Sequence, residues 1–213
     1  MVGANYIKSW GSIIDVIEMN KALQQLKDLD NIAPSPKHIF DAFKLCNYNN
    51  LKCIILGMDP YPQKGVATGL AFANQNKSEI SPSLKVIQSS LYLNLDGRLD
   101  VTLENWAEQG VLLLNSALTV ELNKPGSHAM IWRNFIISVL KNLSDYSPGL
   151  PYILFGNTAK TFLPYINKNN KVILERHPSY YARCNSLLEK DVFTEVNEHL
   201  YKTNGEKIEW LIK

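Results

Sequence analysis

The chain has 213 residues, 46% of them hydrophobic and 20% charged, with 22 Lys and Arg against 20 Asp and Glu. That length suits one domain able to bury about 70% of its unfolded surface, and the apolar content excludes a disordered chain. A formal net charge of +2 excludes a broadly basic surface, so a polyanion would have to be held by a local patch.

In chain order, the opening MVGANYIKSWGS carries no basic segment followed by an apolar core, which reads as no secretion signal. Ile13, Ile14, Ile17, Leu23 and Leu26 then suggest a helix, and after a break at Pro34 and Pro36 a second is expected over His38–Leu45. Lys52–Gly57 (KCIILG) is a continuous apolar run, the pattern of a strand covered on both faces. Leu84, Ile87 and Leu91 form a helical stripe entered through Ser81-Pro82, a cap residue followed by a first-turn proline. Val111–Asn115 (VLLLN) is a second strand. Trp132, Phe135, Ile136, Val139, Leu140 and Leu143 make one stripe of a long helix. Tyr152–Gly156 (YILFG) and Lys171–Glu175 (KVILE) complete four strands.

Strands alternating with helices predict an α/β fold with a parallel sheet, and the absence of a linker or repeat predicts a single domain over 1–213. No run approaches the roughly 20 apolar residues of a bilayer span, so a soluble protein is expected. Cys46, Cys53 and Cys184 are odd in number and lack CxxC spacing, which predicts reduced thiols, no zinc site, and a cytoplasmic protein, or one of the nucleus or host cell in a eukaryotic or viral setting.

Open parallel sheets bind ligands at the carboxyl ends of their strands. There the sequence places Gly57-Met58-Asp59-Pro60-Tyr61-Pro62, then Asn115, Gly156-Asn157 and His177-Pro178-Ser179. Taken singly, Asp59 suits a turn before proline, Asn115 a cap and His177 a satisfied loop histidine. Together on one edge, Asp59, Asn115 and His177 form a site-like constellation. Ser81, Ser83 and Ser179 beside Pro60, Pro82 and Pro178 would give stiff loops whose N–H and hydroxyl groups approach phosphates. Phe72, after Gly65 and Gly69, could stack on a flat ligand, or belong to the core.

GMDPYP, GLAFAN, SPSL, WAEQGVLLLNSALTV, GSHA, FGNTAK and HPSYYA, in this order and spacing from about Pro34 to Leu200, resemble family 1 uracil-DNA glycosylase. The resemblance implies a three-layer α/β/α fold with a central four-stranded parallel sheet. The implied activity is extrusion of deoxyuridine from DNA and hydrolysis of its N-glycosidic bond in base excision repair, with no metal or organic cofactor. By resemblance, Asp59 stabilises the cationic sugar and orients water, and His177 stabilises the departing uracil anion. Asn115 reads the base, the Met58 N–H assists at O2, Phe72 stacks on the ring and Tyr61 blocks a thymine methyl. Pro60, Ser81, Ser83, Ser127, His128 and Ser179 hold flanking phosphates. Tyr180, Tyr181 and Arg183 lie on a loop entering the minor groove. The implied partners are uracil-containing DNA, single- or double-stranded, and protein inhibitors that mimic DNA; a monomer away from membranes is expected.

Two departures stand out. Met58 and Pro62 occupy positions where cellular members usually carry glutamine and histidine, a variant similar to poxviral members. Tyr181 stands at the family's leucine wedge. Alternative readings are a DNA-binding or processivity module with weakened catalysis, and a glycosylase for a modified uracil.

Overall fold

The computed structural model describes residues 8–75 and 80–213; residues 1–7, part of the opening read for a secretion signal, lie outside the described residues. The elements in chain order are α1 (Val16–Gln25), β1 (Ile32–Ala33), α2 (Asp41–Leu45), β2 (Cys53–Gly57), α3 (Pro82–Leu91), α4 (Glu104–Glu108), β3 (Val111–Asn115), β4 (Val120–Glu121), α5 (Ala129–Tyr146), β5 (Pro151–Phe155), α6 (Gly156–Lys160), β6 (Lys171–Glu175), α7 (Pro178–Cys184) and α8 (Val192–Asn204). The strands of the main sheet run in the order β3-β2-β5-β6, all parallel. Every residue of β2, β3 and β5 is buried, as continuous apolar runs demand, whereas the edge strand β6 alternates more. The helices flank this sheet in a three-layer α/β/α arrangement.

The α5 stripe from Trp132 to Leu143 is buried throughout, and so are Leu84, Ile87 and Leu91 of α3. Other expectations need correction. Asp15 caps α1 by accepting the N–H groups of Ile17 and Glu18, so the helix starts at Val16. Ile13 and Ile14 are therefore buried in the preceding turn, and Ile17 on the first turn faces solvent at 68% exposure. The segment His38–Leu45 divides into a short 3₁₀ turn over Pro36–His38 and α2. β5 starts one residue early and ends at Phe155, because Gly156, at φ +85°, turns the chain directly into α6.

Two smaller features lie outside the main sheet. β1 and β4 pair antiparallel, Ile32 with Glu121 and Ala33 with Val120, reinforced by the Asn31 amide donating to Glu121 Oε1 at 3.2 Å. Near the end of the chain, Trp210 packs edge-on against Trp106 and Phe193, and the Trp106 indole N–H donates to the Trp210 carbonyl at 2.9 Å. Cys46, Cys53 and Cys184 are free thiols, the first two buried; burial pushes Cys46 up to about 12, so it stays a thiol at neutral pH. Among the described residues, no helix is long and apolar enough to cross a membrane.

Candidate active site

Parallel register brings the functional side chains to one edge. β2 ends at Gly57, which pairs with Asn115, the last residue of β3. A Cβ on Gly57 would lie 2.7 Å from Asn115 Oδ1 and 3.3 Å from the Phe72 ring, so glycine is what lets the amide and the ring approach the strand end. The chain continues through Met58–Tyr61, while β6 delivers His177 from the far side of the sheet. The result is a pocket of about 330 Å³, mouth included, walled by Met58–Tyr61, Phe72, Ser83, Asn115 and His177 with apolar surface from Ala67 and Leu70.

Asp59 Oδ2 accepts the Gly126 N–H at 2.6 Å. Burial raises its carboxyl above the ordinary value and the Gly126 hydrogen bond opposes that rise. His177 accepts the Ser179 N–H on Nδ1 at 3.2 Å, with the Ser179 hydroxyl 2.9 Å from the same nitrogen. Burial, aided by the positive charge of Arg183, lowers His177 to about 4. A neutral imidazole that accepts on Nδ1 carries its proton on Nε2, as a hydrogen-bond donor.

Asn115 is 6% exposed, lines the pocket, and has no side-chain hydrogen bond among the described residues. Its amide thus offers one acceptor and two donors to a ligand. Phe72 adopts φ +67°, unusual for a residue with a side chain, and its ring lies 5.6 Å from the His177 ring and edge-on to Phe155 at 5.3 Å. A directed chain of hydrogen bonds holds this conformation: the Leu84 N–H donates to Ser81 Oγ (3.2 Å), Ser81 and Tyr61 hydroxyls share a bond (2.6 Å), and Tyr61 donates to the Phe72 carbonyl (3.2 Å). Because Tyr61 spends its proton on Phe72, Ser81 is the donor between the two. Burial pushes the Tyr61 phenol up to about 12, which keeps that proton in place.

The remaining expected residues divide. Met58 and Pro60 line the pocket, the Met58 carbonyl fixed by the Ser116 hydroxyl at 2.6 Å. Ser83 is buried against the pocket. Ser127 is exposed, and its hydroxyl accepts the Glu121 N–H at 2.8 Å. His128 Nδ1 lies 2.8 Å from Thr119 Oγ1, which also accepts the Trp132 indole N–H at 2.7 Å. Burial lowers His128, with Glu121 opposing. Arg183 is exposed on the last turn of α7.

The segment after His177 is a helix, not a loop. Pro178 at its first turn and His177 capping Ser179 nucleate α7. Tyr180 is 39% exposed with the Arg176 guanidinium 4.8 Å from its ring centre. Tyr181 does not protrude as a wedge: it is 2% exposed and its hydroxyl donates to Glu175 at 2.7 Å. Two hydrogen-bonding partners in this region, Gly126 under Asp59 and Glu175 under Tyr181, escape a reading of the sequence. Gly126 acts through a backbone N–H, which no residue type advertises, and Glu175 resembles an ordinary strand-end charge. Gly156, expected to end a strand, opens α6 instead; a Cβ there would stand 2.8 Å from His177 Cβ.

Comparison with known proteins agrees with this geometry. Residues 43–201 match the model of the uracil DNA glycosylase superfamily. Uracil-DNA glycosylase 1 of Listeria innocua is 36% identical over 215 residues, covering 96% of this chain and 97% of that one. Uracil-DNA glycosylase of Campylobacter lari is 42% identical over 192 residues, covering 88% and 83%. Among solved structures, mimivirus uracil-DNA glycosylase superposes with a TM-score of 0.78 at 26% identity, over 85% of this chain and 75% of that one. A tyrosine-to-leucine variant of the mimivirus enzyme in complex with UGI gives 0.79 at 26% identity, over 92% and 81%. Matched along nearly its whole length by relatives of one kind, and folded as they are, the chain belongs to the uracil-DNA glycosylase superfamily.

Proposed function

We propose that the protein removes uracil from DNA by hydrolysing the bond between the base and the sugar C1′. The observation that carries this reading is the convergence of a partly buried carboxylate, an unengaged buried amide and a neutral histidine around one small pocket. The target carbon is unreachable in a stacked duplex, so the nucleotide must be extruded into that pocket. Asn115 accepts from uracil N3–H and donates to O4; cytosine presents the opposite pattern and would leave both groups unpaired. Tyr61, locked by its bond to Phe72, stands as a rigid wall against a larger base, and Phe72 supplies the stacking face.

As the C1′–N1 bond breaks, its electron pair leaves with uracil, and His177 donates from Nε2 to the oxygen where that charge collects. Asp59, held by Gly126, faces the cationic sugar and orients the water whose oxygen bonds to C1′; that water's proton passes to the carboxylate or solvent. Ser83, Ser179 and His128 are the phosphate contacts this reading favours, with Arg183 and Tyr180 beside them. Uracil-containing DNA, single- or double-stranded, is the substrate, and an acidic protein shaped like DNA would compete for the same surface.

The test is excision from an oligonucleotide carrying one uracil, beside thymine, hydroxymethyluracil and cytosine versions, by wild type and Asp59→Asn. Excision confined to uracil and lost with Asp59→Asn is expected. Binding without excision would overturn the reading in favour of a DNA-binding module, and cleavage at another base would change the substrate.

A further inference from the structure

Glu175, the last residue of β6, is 8% exposed. Its carboxylate is held by three donors: Oε1 accepts the Arg176 N–H at 2.6 Å and the Tyr181 hydroxyl at 2.7 Å, and Oε2 accepts the Lys190 N–H at 2.9 Å. The neighbouring cations are engaged elsewhere. Arg176 pairs with Glu189 at 3.2 Å, and the Lys190 ammonium donates to the Leu174 carbonyl at 2.8 Å. A buried anion satisfied by neutral donors is costly to disturb, because each lost donor leaves charge unsolvated.

The placement of the donors matters as much as their number. They sit at the start, middle and end of residues 176–190, so one side chain closes α7 and the turn after it onto the end of the sheet. Inside that closure lie His177 and Ser179. Glu175 itself is in register with Phe155, and the next residue along, Gly156, backs directly onto His177. The carboxylate thus ties the helix that bears the pocket's histidine to the two strands beneath it.

We propose that Glu175 is a positioning residue: through the Tyr181 hydroxyl and the Arg176 and Lys190 amides it seats α7 so that His177 meets the base. This rests on the function proposed above. A hydrogen bond that acts on developing charge is sensitive to placement, since a displacement near 1 Å can cost about a hundredfold in rate. Tyr181 accordingly acts from inside the protein, as the middle tie of the clamp.

Two variants test this. Tyr181→Phe removes one hydroxyl and keeps the ring; Glu175→Gln keeps the volume and removes the charge. kcat and KM on a single-uracil oligonucleotide, Tm, and the ring ¹⁵N signals of His177 in the free protein are measured. Both folded variants are expected to lose about tenfold or more in kcat with KM within about twofold. The His177 signals shift in both. Unchanged kcat and unchanged His177 signals in folded Tyr181→Phe overturn the proposal. So does a fully active Tyr181→Phe beside a Tyr181→Ala that fails on duplex but not on single-stranded substrate, which would make the ring a stacking element. Should Glu175→Gln not fold, Tyr181→Phe carries the test. A wild type that excises no uracil overturns the functional reading instead, and the His177 signals still decide whether the clamp sets the ring.

Discussion

At the scale of single residues, burial shifts Asp59 and His177 in opposite directions, the carboxyl up and the imidazole down. Asp59 has a raised carboxyl, so its ionised form is better accommodated in the unfolded chain. Asp59→Asn is expected to lower kcat/KM by about 10²–10³-fold and to raise Tm at neutral pH, checked by excision assay and calorimetry. His177 titrates near 4 folded against 6.5 unfolded, so between those values the unfolded chain binds more protons and stability rises with pH. Above 6.5 the contribution is flat; below it, up to about 3 kcal/mol is lost by pH 4. Urea unfolding at pH 4.5 and 7 should therefore differ less in His177→Gln than in wild type. Asp59, Asn115 and His177 are legible in the sequence because reactive side chains at strand ends stand out against apolar runs. The partner of Asp59 is not, because a backbone N–H on the Gly126 loop leaves no mark in residue type.

At the scale of elements, the strands and α5 are legible because their faces are purely apolar or cleanly striped, and burial alone decides them. α7 is not: Pro178-Ser179-Tyr180-Tyr181 has no stripe, and it becomes a helix through the His177 cap behind a first-turn proline and through the Glu175–Tyr181 bond, side-chain contacts that no apolar pattern announces. Ile17 misleads for the opposite reason, since an apolar residue on a helix need not face the core. The close approach of α6 to His177 yields a further expectation. Gly156→Ala places a Cβ at φ +85° within 2.8 Å of His177 Cβ. It should cost about 1–3 kcal/mol of stability and at least tenfold in kcat, read by denaturant titration and single-turnover kinetics.

At the scale of the whole molecule, near-neutrality shapes how DNA is held. With a net charge of +2, the function proposed above would have phosphates held by hydroxyls and backbone N–H groups around the pocket rather than by a basic face. The logarithm of DNA affinity against the logarithm of salt should then fall with a slope shallower than about −4, corresponding to a handful of displaced counterions. Fluorescence anisotropy from low to moderate salt measures it.

The stitching of Trp210 onto Trp106 sets a clock on the molecule's making. The donor and acceptor of that bond stand 104 residues apart. At a synthesis rate of about 5–20 residues per second, Trp106 waits roughly 5–20 s for its partner to be made. Throughout that interval a large indole that will finish buried lacks its Trp210 cover, the kind of transiently exposed apolar surface that makes unfinished chains prone to stick. Trp210 thus ends that interval by covering the Trp106 indole.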